Sequence, residues 1–291
     1  MFRVTLLLVV ALFSAITLAT EEDAYSVSSG WQLGLGAGYG KLDNPLAQSE
    51  DIPLYIIPQI ELFYGDFAFT NFELSWTPYT SEHHQVSVVT KMNRDGLYFI
   101  DDLATSSFIS SLTTAKPPNS PRPGGYTGNS SNTVKRSKRV GDMTQIPDRK
   151  ISVMGGMQYL FDWHSWRVSA GFFSELTNYY SGQQGNISLS KLYSIREHLF
   201  VLSAQMQYQS NELTRYYYGS HRDEASVGFS IYQPKHAFNA SMQITYQYQI
   251  NEQWRVISDL KWQRLDSEIG DSPLVADRHL LSYYAGVAWS F

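Results

Sequence analysis

From Leu281 to Phe291 the side chains alternate without a break: Leu281, Tyr283, Ala285, Val287, Trp289 and Phe291 share one face, and Ser282, Tyr284, Gly286, Ala288 and Ser290 the other. A period of two is that of a β-strand. A strand whose largest aromatics stand at its end on the exposed face suits the lipid-facing wall of a membrane barrel, because amphipathic rings favour the boundary between hydrocarbon and water. Tyr283, Val287, Trp289 and Phe291 are therefore expected to form the signal by which a barrel-assembly machinery reads the chain.

The amino terminus carries one basic residue, Arg3, an apolar run from Val4 to Leu18, and acidic residues directly after Ala19 and Thr20. That order is expected of a cleaved secretory signal peptide spanning 1–19, the run being shorter than the roughly 20 residues of a spanning helix. With no cysteine in the chain, neither a disulfide nor a lipid anchor on cysteine is expected after cleavage. The formal charge of −5 excludes nucleic acid as a natural partner, since phosphate contacts need clustered Lys and Arg.

Residues 20–291 read as one barrel domain. Segments of about ten alternating residues, the length a tilted strand needs to cross a bilayer, recur at 31–40, 54–65, 66–76, 85–93, 150–161, 166–177, 187–195, 199–209, 238–249 and 254–265. Gly65-Asp66 marks a hairpin. Pro58 suggests a bulge, because proline cannot donate to a ladder. Segments 97–100 and 225–233 are further strand candidates, the second expected to merge with 238–249 into one bulged strand. The expected fold is thus all-β: a transmembrane antiparallel β-barrel of the bacterial outer membrane with about 12 strands, 10 or 14 being the neighbouring even numbers. Short and longer connections alternate, as periplasmic turns and external loops do.

Residues 101–149 differ in kind, being rich in Pro, Gly, Ser and Asn with little to bury, and are expected to form a long disordered loop. Its basic cluster, Lys135, Arg136, Lys138 and Arg139, fits lipopolysaccharide phosphates if the loop is external. A solvated loop is the plainer reading.

Enzymatic chemistry finds residue types but no motif. Asp101, Asp102, His83 and His84 offer what a rim protease uses to activate water, yet adjacent histidines in a polar loop more often face solvent. No Ser, His and Asp set suggests a lipid hydrolase. Asp162 and His164 flank Trp163 in an expected periplasmic turn. No helix-spaced histidine pair suggests a metal. The expectation is no enzyme, no metal and no cofactor.

Two stretches carry a resemblance. "YYGSHRDEA", with Tyr217, Tyr218 and Gly219, is similar to the YYG-x-x-x-x-EA element of the MipA/OmpV family of MltA-interacting outer-membrane proteins. The closing "DSPLVADRHLLSYYAGVAWSF" resembles that family's terminal element through Asp271, Ser272, Pro273, Val275, Arg278, Leu281, Ser282 and Phe291. Tyr284 and Ala288 flank a single Gly286 where the family carries more glycine. The resemblance implies an outer-membrane barrel of a family in which some members are scaffolds that link a murein hydrolase to a murein synthase and others are linked to adhesion, osmotic response or antibiotic uptake, and it brings no catalytic residues. Read physically, Tyr216, Tyr217 and Tyr218 suit the membrane interface, and Arg278 is placed to pin its loop through Asp271 or Asp277.

Three functions follow. The first is the scaffold, with murein-modifying enzymes, a lytic transglycosylase or a murein synthase, as partners beside outer-membrane lipid and lipopolysaccharide. The second is a porin-like channel for small solutes, whose lumen would be lined by Gln32, Gln205, Gln207, Gln243, Tyr246 and Gln249. An outer-membrane hydrolase is the third and weakest.

Overall fold

A computed structural model describes residues 30–100, 149–220 and 230–290. The expected signal peptide, the basic cluster at 135–139, Asp101, Asp102 and Phe291 lie outside these residues. Twelve strands close into one antiparallel barrel: β1 (Gly30–Leu42), β2 (Ile52–Tyr64), β3 (Phe67–Thr70), β4 (Glu73–Thr80), β5 (His84–Met92), β6 (Val153–Trp163), β7 (Trp166–Glu175), β8 (Gln183–Ile195), β9 (His198–Gln209), β10 (Ala237–Gln249), β11 (Trp254–Arg264) and β12 (His279–Ser290). Each pairs with its neighbours in sequence, and β12 closes on β1 with Leu35 opposite Trp289 and Ala37 opposite Val287.

The alternation in sequence becomes a wall with two faces. On β12 Leu281 and Val287 are exposed outward, while Ser282, Tyr284, Ala288 and Ser290 are buried inward. The same holds around the barrel, where Leu35, Ile187, Leu202, Met206, Met242, Ile244 and Leu260 stand exposed. A band of that size would be untenable in water but is what hydrocarbon requires.

Three local expectations are corrected. Residues 66–76 form two strands, because Asn71 and Phe72 both take positive φ (47° and 66°), the signature of a tight hairpin turn. Residues 97–99 belong to a 3-10 turn over Arg94–Phe99, capped by Asn93 accepting from the Asp95 amide and ended by Ile100. Residues 230–236 hold only a bridge from Tyr232 to Ser220, so β10 begins at Ala237.

Pro58 does not sit in a bulge either. It pairs in unbroken register with Leu35, and the shift in that ladder falls between Ala37 and Gly40 on β1. Ile60 turns its amide and carbonyl to Asn71, at 2.8 and 3.1 Å. Pro58, two residues on, points the same way, where β3 has already ended, so no ladder bond is lost. Pro78, by contrast, lies at a register shift, between Trp76 and Tyr79.

The two ends of the barrel differ. Turns at 65–66, 81–83, 164–165, 196–197 and 250–253 close one end, and all the longer connections leave the other. At the long-connection end helix α1 (Asn211–Tyr218) buries Leu213, Thr214, Tyr217 and Tyr218, one face of an amphipathic helix. A single turn, α2 (Ser267–Gly270), buries Ile269.

Candidate functional site

The long connections fold together into a lid across the barrel mouth. Leu46, Leu213, Tyr217, Tyr218, Ile269, Leu274 and Val275 are all at 0% exposure. They pack against Val89, Met154 and Phe173 from β5, β6 and β7 and against Ala237 and Leu280 from β10 and β12. The segment after β1 is stitched to the segment before β12: the Ala47 amide donates to the Leu274 carbonyl at 2.8 Å, and the Ala276 amide to that of Pro45 at 2.8 Å.

The two sequence stretches that carry the resemblance meet in this lid. Ser272 Oγ donates to the Tyr218 carbonyl at 2.7 Å and accepts from the Leu274 amide at 3.2 Å. Arg278 pairs with Asp271 at 3.1 Å, as its placement suggested, and its aliphatic stem lies against Gly270 where any side chain would collide. Gly219 ends α1, and its carbonyl accepts from Arg149 Nη2 at 3.1 Å. Arg149, at the end of the stretch expected to be a disordered loop, is itself buried.

The interfacial reading of the three tyrosines is overturned for two of them. Tyr217 and Tyr218 point into the protein because their hydroxyls find partners there, which a buried phenol needs. Tyr218 donates to Asp95 at 2.6 Å and Tyr217 to the Lys150 carbonyl at 3.0 Å. Ser152 and Asn93 complete the net through the Tyr180 hydroxyl, at 2.7 and 2.9 Å. Tyr216 stacks on Tyr180 with ring centres 4.6 Å apart. Burial pushes Asp95 up from the ordinary carboxylate value, and the bonds from Tyr218 and Gln209 hold it partly back. Burial also raises the Tyr217 and Tyr218 hydroxyls. Asp95, Arg149, Ser152 and Tyr180 escaped the sequence reading, since each acts through a partner far off in the chain.

Below the lid the lumen is polar. Ser169 and Ser188 pair at 2.8 Å, as do Ser190 and Ser203, and Gln205, Gln207 and Gln243 face inward beside them. On the inner wall Arg255 of β11 donates to Gln59 of β2 at 2.7 Å, and Asp259 accepts from Gln243 at 2.8 Å and Thr245 at 2.6 Å on the neighbouring β10. Glu61 is 1% exposed, and neither carboxylate oxygen has a hydrogen-bond partner among the described residues. Tyr246 is corrected to the outer wall, against Phe200 with ring centres 4.8 Å apart, while Gln249 keeps the inward register. Nothing is described of the Gln32 side chain.

The residue types considered for an enzyme are not brought together. His84 opens β5 at the short-turn end, whereas the chain departs for residue 101 from the opposite end. Asp162 is engaged in a fork to Arg167 at 2.5 and 2.6 Å.

A closed antiparallel barrel with an apolar outer band, a polar lumen and short turns at one end defines an outer-membrane β-barrel protein. The chain belongs to the MipA family: residues 33–291 match the family described as MltA-interacting protein MipA. The outer membrane protein Omp26La of Vibrio anguillarum is 25% identical over 124 residues, 43% of this chain and 48% of that one. The MltA-interacting protein of Escherichia coli K12 is 22% identical over 159 residues, 54% of this chain and 64% of its own. The match thus spans about half to two thirds of these relatives. Among solved structures, an outer membrane channel of Pseudomonas putida F1 aligns over 94% of this chain and 99% of its own at 7% identity and a TM-score of 0.38. OmpT of Vibrio cholerae lacking loop L8 aligns over 90% and 99% at 7% and 0.35. The protein is one of the outer membrane, and its short-turn end faces the periplasm as in other such barrels.

Proposed function

We propose that this barrel is an outer-membrane scaffold whose periplasmic turns dock a murein-modifying enzyme. One observation carries the reading: among the described residues, the long connections at the external mouth pack into a lid whose apolar centre is wholly buried. The periplasmic rim is open to a partner, its turns at 81–83, 164–165, 196–197 and 250–253 presenting exposed polar side chains such as Glu82, His164, Arg196 and Glu252. The name of the Escherichia coli relative, MltA-interacting protein, gives the class of partner. The test is crosslinking in intact outer membranes followed by purification of the tagged protein. Recovery of a lytic transglycosylase or a murein synthase supports the scaffold; assembly chaperones and lipopolysaccharide alone would overturn it.

The serine- and glutamine-lined lumen favours a second reading, a channel for small hydrophilic solutes. That reading requires the lid to open.

A further inference from the structure

The outer wall at the periplasmic end repeats one arrangement of side chains. His84, the first residue of β5, lies against Phe161 with ring centres 5.0 Å apart, and its Nδ1 is 2.6 Å from the Tyr159 hydroxyl. His198, the first residue of β9, lies against Tyr248 at 4.8 Å, and its Nδ1 is 3.0 Å from the Tyr246 hydroxyl. In both, the tyrosine fixes the ring and leaves Nε2 without a partner among the described residues.

The copies differ in what surrounds them. The turn before His84 is Glu82-His83, with no strong cation. The turn before His198 is Arg196-Glu197, both exposed, with Arg196 held at φ 54°. The other cation of this hairpin, Lys191, is taken up by the faces of Trp166 and Tyr193 at 4.5 and 5.0 Å. Beside His198 the wall opens into a hollow of about 410 Å³ lined by Ile195, His198, Phe200 and Tyr246. Apolar rings and an isoleucine thus line a shallow, open groove on the lipid side, and the turn between its Ile195 and His198 carries the exposed Arg196 and Glu197.

We propose that this groove binds one phosphatidylethanolamine of the inner leaflet. An acyl chain lies along Ile195 and Phe200, the phosphate meets Arg196 and the His198 Nε2–H, and the ammonium meets Glu197. Glu252 in the adjoining turn is a second exposed carboxylate. A rim that pairs one free-standing cation with carboxylates suits a zwitterionic headgroup, whereas phosphatidylglycerol would bring a phosphate and no ammonium. The site makes no use of the scaffold reading.

Native mass spectrometry of the detergent-solubilised barrel, given phosphatidylethanolamine or phosphatidylglycerol, tests the proposal. The wild type is expected to retain one phosphatidylethanolamine roughly two- to fivefold more than phosphatidylglycerol, the range of an exposed ion pair. E197Q should level the two lipids, R196N should weaken both, and I195W should fill the groove and displace either. Equal retention of the two lipids by the wild type would overturn the assignment, and so would retention unchanged in I195W.

Discussion

Asp95 is held beneath the lid by two neutral donors, Tyr218 Oη at 2.6 Å and Gln209 Nε2 at 2.7 Å. Its burial favours the protonated form. An acid whose folded value lies above its unfolded value binds a proton more tightly when folded. Its contribution to stability is therefore greatest below the ordinary carboxylate value of about 4 and declines as pH rises through the folded value. The thermal midpoint should thus fall from acid toward neutral pH, and D95N should flatten that dependence. Removing the donor instead, in Y218F, leaves the carboxylate one partner short. A loss of about 1–3 kcal/mol is expected in denaturant unfolding. The same residues mark the limit of sequence reading. Three tyrosines beside a glycine are locally indistinguishable from an interfacial girdle, and only partners at 95, 150 and 152 turn two of them inward.

At the scale of elements, the seam between β1 and β12 depends on close approach. A methyl group on Gly38 would come within 2.6 Å of the Tyr284 hydroxyl, whereas one on Gly36 would stand 3.5 Å from the same atom. G38A should therefore lower the yield of folded barrel, read as the heat-modifiable fraction on gels, and G36A should leave it close to wild type. Overpacking costs of this kind run to about 1–3 kcal/mol. Strands with an apolar and a polar face were legible in the sequence, β12 above all, because lipid and lumen enforce the same alternation. The expected number was reached through errors that cancel. Between Phe67–Thr70 and Glu73–Thr80 the apolar parity shifts, from Phe67 and Phe69 to Phe72, Leu74 and Trp76, so the division is written in the sequence, but a turn without glycine gives it no other mark. Four apolar letters at 97–100 suggest a strand where the chain forms the 3-10 turn at 94–99. Tyr246 was counted inward for its hydroxyl, although the glutamines around it already fix the opposite parity.

At the scale of the whole molecule, the lid separates the two functional readings. In a planar bilayer the wild type is expected to show no steady conductance, because the lid's centre is wholly buried. Charges placed in that centre, L274D together with V275D, should admit current if the polar lumen beneath is continuous. Steady conductance of the wild type would favour the channel over the scaffold.

The lid also has a history within each molecule. Its pieces come from residue 46, residues 213–218 and residues 269–275, so it is complete only when loops from both halves of the chain stand on the far side of the membrane. A barrel that lacked any one of these loops on the far side would leave an incompletely covered pore in the cell's outermost barrier. Substitutions that loosen these contacts would then bear on the integrity of the envelope during growth as much as on any task of the finished protein.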